Sequence, residues 1–147
     1  DKLSVLGGEL LERTLSALEN GTAVRTPQDH EQAGMYAAML TKEMGNLDFT
    51  KPAEELERLI RGLNSWPSAY TQYNDLTLKI WEADASDAEY GAKPGTVAGI
   101  SKQNFTIQCG KGSLIVKDVQ LQGKKRMDAG SFMRGNKIEV GQVLGQI

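Results

Sequence analysis

Cysteine is almost absent from these 147 residues, with Cys109 standing alone. A single thiol closes no internal disulfide, which excludes the cross-linked secreted scaffold and suits a cytoplasmic protein. Its place in the Phe105-Ile107-Cys109 alternation marks it as a small core residue. Histidine is equally scarce: His30 is the sole example. It adjoins Asp29 with no serine or cysteine at a telling distance, so no nucleophile–base pair is announced and no catalytic residue is expected. No apolar run is long enough to cross a bilayer, and the opening residues do not read as a secretion signal. No metal site is expected either. Asp84, Asp87 and Glu89 share one loop, but the glycine turn and closing glutamate of a calcium loop are missing.

What the chain does contain is an uneven distribution of charge. The total is −2, yet residues 1–92 carry eight Lys/Arg against sixteen Asp/Glu and residues 93–147 carry nine against three, balances of −8 and +6. A cationic second half in an acidic protein points to an anionic partner on that side. The apolar share of 39% supports a folded domain and argues against disorder.

Periodicity divides the chain. Leu3, Leu6, Leu10, Leu11, Leu15 and Leu18 form a helical stripe, expected to be firm from about Glu9 because Gly7-Gly8 weakens the first turn, and stopped by Asn20-Gly21. Thr22 to Asp29 reads as linker. A short helix is expected from about His30 to Lys42 with Tyr36, Met39 and Leu40 inward. Thr50 is expected to cap the next helix, where Leu56, Leu59, Ile60 and Leu63 share one face and Glu54–Arg58 and Glu57–Arg61 form pairs four residues apart. Pro67 ends helical structure, and Trp66 and Tyr70 are large enough to plug the corner where helix gives way to sheet. Strands are expected at Ala69–Tyr73, Leu76–Ala83, Thr96–Val97, Phe105–Cys109, Ser113–Gln122 and Ile138–Leu144. A bulge near Lys117-Asp118 would reconcile the two apolar phases of the fifth, and a short helix lies near Ala129 to Met133. Six strands suffice for a small antiparallel barrel of the OB type, so the chain reads as mainly β with N-terminal helices.

The order of these features resembles the C-terminal portion of the methionyl-tRNA formyltransferase family. Arg61, Asn64, Trp66-Pro67 and Leu78-Lys79-Ile80-Trp81 carry the first part of the likeness. Lys42-Glu43 and Leu47-Asp48-Phe49 match the family's linker, and Pro94-Gly95-Thr96-Val97, Gly110 to Leu114, Gln120, Gly123 to Met127, Phe132 and Gly135 continue it. Departures are Ser65 and Met35, Met39 and Lys111, where the family commonly has proline, threonine, lysine and aspartate. The likeness implies three parts. Residues 1–21 would be the last helix of a catalytic domain, 22–48 a linker with a short helix, and 49–147 an OB-like barrel with its leading helix. It further implies that the intact enzyme is a monomeric cytoplasmic transferase acting in translation initiation. The formyl group would pass from 10-formyltetrahydrofolate, co-substrate of the catalytic domain, to the amino group of initiator methionyl-tRNA. This part alone would hold no cofactor and be inactive, with neither DNA nor membrane as partner, and its leucine stripe would leave it free to self-associate.

The expected role is therefore RNA binding. Lys124, Lys125 and Arg126 are consecutive cations in a turn, and Lys102, Lys111, Arg134 and Lys137 sit on other loops. Flexible cations on such loops follow a phosphate backbone without reading bases. Arg61 joins them by resemblance. Gly110-Lys111-Gly112-Ser113 leads into a strand, so it reads as a hairpin turn and not as a phosphate loop. Trp81 and Tyr73 are the aromatic residues considered for base stacking. Two other readings remain: the C-terminal domain of a 10-formyltetrahydrofolate-dependent enzyme acting on a small amine, or a non-catalytic oligonucleotide-binding module. The +6 half disfavours the small-amine enzyme.

Overall fold

The computed structural model describes residues 2–32, 34 and 37–145, which divide into two compact units, Asp1–Ala38 and Met39–Ile147. In the first unit, helix α1 (Lys2–Glu19) begins well before Glu9, so Gly7-Gly8 does not delay it. None of its residues is buried, and the leucine stripe is open to solvent. The described residues of the stretch 30–42 do not carry the expected helix. Among the described residues the 3-10 turn His30–Gln32 appears there and a second, Glu43–Gly45, just beyond it, and Met39 and Leu40 are exposed. Residues 37–42 are exposed, so no burial offsets the nucleation cost of a short helix there. The inward position expected for Tyr36 lies outside the described residues.

The second unit is built on one antiparallel sheet. Helix α2 (Ala53–Gly62) inserts Leu56 and Ile60 into the core, with Leu63 buried just beyond its end. Pro52, not Thr50, is its N-cap. The Thr50 hydroxyl is already engaged, donating to Asp48 Oδ1 at 2.7 Å. The expected ion pairs Arg58–Glu54 and Arg61–Glu57 both form.

Strands β1 (Ala69–Tyr73) and β2 (Leu76–Ser86) make a hairpin whose two turn residues, Asn74 and Asp75, have φ of 47° and 62°. Both residue types tolerate this left-handed geometry, which matches the twist of the strands. β3 (Val97–Ile100), β4 (Phe105–Gln108), β5 (Ser113–Leu121) and β6 (Met127–Asp128) follow, then helix α3 (Ala129–Gly135). The Asp128 carboxylate caps α3 by accepting from Ser131 N at 2.7 Å. The strand order is β1-β2-β5-β4-β3, with β6 beside β5.

Where β2 meets β5 the register slips twice. Trp81 has no partner between the pairs Ile80–Val119 and Glu82–Asp118, and Lys117 has none before Ala83–Val116. The expected bulge is present, and it allows Leu114, Val116, Val119 and Leu121 all to be buried despite their change of phase.

The sheet is not closed into a barrel. Ile138–Leu144 is the last of the expected strands, but Gly141 turns the chain with φ of 94°, and among the described residues only the single bridge Thr96–Val143 forms. This segment instead spans the open side with separate bonds. Gly141 N donates to Val97 O at 2.8 Å, Leu144 N to Gly95 O at 2.9 Å, and Gly145 N to Gln72 O at 3.1 Å. Ile138 and Leu144 thereby reach the core, which centres on Phe105, Phe132, Ile107 and Leu78. Among the described residues no helix is long and apolar enough to cross a membrane.

Candidate nucleic-acid interface

One face of β1, β2 and β5 points away from the core and carries polar and aromatic side chains. Alternation along β2 buries Leu78 and Ile80, which sends Lys79 and Trp81 to the opposite face. Lys79 pairs with Tyr70 on one side and Gln120 on the other, so these three stand in a row across three strands.

Trp81 is the centre of this face. Its indole N–H donates to Gln120 Oε1 at 3.2 Å, and Gln120 Nε2 donates in turn to Lys124 O at 2.9 Å. The side-chain amide of Gln120 therefore fixes the ring and anchors the cationic turn. Lys79 Nζ lies 5.5 Å from the Trp81 ring centroid and the Arg126 guanidinium 5.2 Å from it. Each distance is within the range of cation–π attraction. Arg126 is held further by Asp118, with Nε 2.7 Å from Oδ2. Two charged groups are thus gathered at one indole, with the exposed Lys124 and Lys125 in the adjoining turn.

The loop before β1 is tied to the same place. Asn64 Nδ2 donates to Trp81 O at 3.2 Å, and Lys79 Nζ donates to Ser68 Oγ at 3.4 Å. Between these ties Pro67 and Ser68 are buried, whereas the Trp66 side chain stands out at 58% exposure. Trp66 therefore does not plug the corner as expected. Tyr70 is half-buried on the outer face, and Tyr73 belongs to the core, packed edge-on against Phe132 with its hydroxyl donating to Lys137 O. That contact removes Tyr73 as a stacking candidate.

The other cations are scattered. Lys102 and Arg134 line one hollow with Ile100, Ser101, Gly130 and Met133. Lys111 lies in another, beside Arg58 but also among Glu54, Glu55 and Asp87, an acidic setting that offsets its charge. Lys137 is paired with Glu139 at 3.0 Å and Arg61 with Glu57 at 3.0 Å. The Gly110 turn is no phosphate cradle. Its N–H donates to Phe49 O and Lys51 O, and a Cβ there would stand 1.8 Å from Thr50 O.

No local pattern marks the role of Glu89. Its carboxylate accepts from Gly112 N at 2.6 Å and from Gln108 Nε2 at 2.7 Å, pinning the acidic loop to the β4–β5 turn. The Gly112 N–H, then the Gln108 amide, lower its pKa below the usual carboxylate value. Cys109 is sealed in the core, and burial pushes its thiol up to about 11, so it stays unreactive near neutrality. Among the described residues no group of three or more His, Cys, Asp or Glu could hold a metal ion.

Comparison with known proteins adds the following. The family described as formyl transferase, C-terminal domain, matches residues 39–137. A methionyl-tRNA formyltransferase of Lachnospira eligens is 51% identical, taking in 99% of this chain and 48% of that protein. One from Agathobacter rectalis is also 51% identical, over 96% of this chain and 45% of that protein. One from Clostridioides difficile is 41% identical, over 99% and 47%. The chain thus spans about half the length of the curated relatives it matches. Among solved structures, a variant of HypX from Aquifex aeolicus superposes with a TM-score of 0.62 at 17% identity, covering 89% of this chain and 24% of that one. HypX in complex with tetrahydrofolic acid gives 0.61 at 17%, covering 91% and 26%. At that identity the likeness concerns the fold alone.

Proposed function

We propose, from the fact that this chain belongs to the formyl transferase C-terminal domain family, that it is the tRNA-gripping part of a methionyl-tRNA formyltransferase. The intact enzyme would move a formyl group from 10-formyltetrahydrofolate to the amino group of methionine on initiator tRNA in the cytoplasm. The names of the relatives support this substrate. In this reading residues 1–21 belong to the catalytic part, 22–48 link it, and 49–147 hold the RNA.

The observation that carries the binding role is the cationic cluster at Trp81. Lys79 and Arg126 flank the indole, and the Lys124–Lys125 turn is anchored to it through Gln120. Cations held by a ring and an amide lose less freedom on meeting a phosphate than free lysines do. Such contacts hold a folded RNA by shape, and the gain for catalysis is positioning: the aminoacyl end is delivered to chemistry performed elsewhere.

Titration of the chain with initiator tRNA at several salt concentrations tests the reading. Binding whose log–log salt dependence has a slope of several units, roughly one per phosphate contact, is the expected result. Failure to bind at low salt would overturn it.

A further inference from the structure

The Trp66 loop presents a feature that backbone-following cations do not need. Trp66 is 58% exposed, although the residues beside it, Pro67 and Ser68, are buried. Exposing a large indole forgoes its burial energy, so the loop is not shaped by packing of that ring. Nor is the loop loose. Asn64 Nδ2 holds Trp81 O, Ser68 Oγ accepts from Lys79 Nζ and donates to Ser65 O at 3.1 Å, and Ser68 N donates to Leu63 O at 3.0 Å. These bonds fix both ends of the loop beside Lys79 and Trp81, the residues at the centre of the cationic face. The ring of Trp81 is already attended by Lys79 and Arg126. Trp66 is the tryptophan on this side whose ring has neither cation–π contact nor side-chain hydrogen bond among the described residues.

We infer that Trp66 is a stacking subsite for an unpaired nucleobase of the bound RNA, with Lys79 and Arg126 holding the adjacent phosphates. This rests on the tRNA-gripping reading and deepens it. Every base offers a π-face, so an exposed indole beside fixed cations takes single-stranded nucleotides without regard to sequence. A paired stem keeps its bases stacked inside and offers nothing to the ring. The subsite therefore distinguishes unpaired from paired RNA, which the cations alone do not.

The test compares wild type, Trp66→Leu and Trp66→Phe on two probes, an initiator tRNA transcript and a blunt RNA duplex of its acceptor stem. Because the side chain is exposed, neither substitution removes core packing. Trp66→Leu is expected to weaken tRNA binding roughly 5- to 150-fold, with duplex binding within about two-fold of wild type and Trp66→Phe recovering most of the loss. In Trp81→Phe protein, where Trp66 is the sole tryptophan, tRNA should quench its fluorescence. Equal tRNA affinity for wild type and Trp66→Leu overturns the subsite and leaves the tRNA-gripping reading intact. An equal loss on both probes also overturns it, since the ring would then act on paired RNA as well. A wild-type protein that binds no tRNA overturns both.

Discussion

Replacing Lys124 and Lys125 together by alanine should make tRNA binding less sensitive to salt by a calculable amount. Both side chains are exposed, and neither takes part in an ion pair among the described residues. Each is therefore free to displace a condensed counterion from a phosphate. A contact contributes about 0.9 to the log–log slope on duplex and about 0.7 on single strands, so losing two flattens it by about 1.4 to 1.8. Over a four-fold rise in salt, from roughly 50 to 200 mM, the affinity gap between wild type and variant should close by about ten-fold. Arg126 behaves differently because its charge is already met by Asp118, with Nη2 2.5 Å from Oδ2, and its plane lies near the Trp81 ring. Arg126→Ala should thus cost affinity while changing the slope by less than one full contact. Fluorescence anisotropy of labelled tRNA across that salt range reads both quantities. An unchanged slope in the double variant would refute the reasoning, as would a larger slope change for Arg126→Ala than for the two lysines.

Three further predictions concern the fold beneath this face. Phe132→Ala removes a ring that is 1% exposed and packed against Tyr73, and should destabilise the second unit by about 3–5 kcal/mol, read from denaturant melts. Glu89 should add a pH dependence. Because its folded-state pKa lies below the ordinary value, its contribution is present above that value and is lost as pH falls through the lowered one. Melts at descending pH should show this acid-side loss reduced in Glu89→Gln, which is less stable at neutral pH; identical profiles would exclude the pinning role. Cys109 should resist alkylation at pH 8 until the protein unfolds, because burial lifts its thiol to about 11; rapid labelling of native protein would contradict that.

Much of the second unit is legible in residue order. The switch of period between Leu63 and Leu76, the Asn74-Asp75 turn and the phase change at Lys117 each have one local solution, and the structure adopts it. The segment 138–145 is different. Its apolar residues do go inward at Ile138 and Leu144, but Val140 is 63% exposed, and backbone groups bond one at a time to β3 and Gln72. Alternation reports which side chains want burial; it does not say whether a ladder or a turning strap delivers them. The same limit explains Trp66. Its size suggests a plug, whereas the loop that Asn64 and Ser68 tie to β2 carries the ring exposed, and those long-range ties are not written in the local sequence. At the candidate interface, the cationic turn is evident as three adjacent charges. Its attachment to Trp81 through Gln120 depends on the registration of β2 with β5, which no local pattern states. Lys111 and Lys137 differ from that turn in having acidic neighbours, Glu54, Glu55 and Asp87 around the first and Glu139 paired with the second, which sequence order alone does not bring out for Lys111.

The most direct test of the account is to map the surface that RNA touches. Amide and indole nitrogen–proton spectra of labelled protein, recorded as initiator tRNA is added, should show the Trp81 indole and the amides of Lys79, Gln120 and Lys124 to Arg126 shifting first and most. If those signals stay in place while others move, the interface lies elsewhere on the domain. If none moves under low-salt conditions, the chain does not hold tRNA, and the proposed role is wrong.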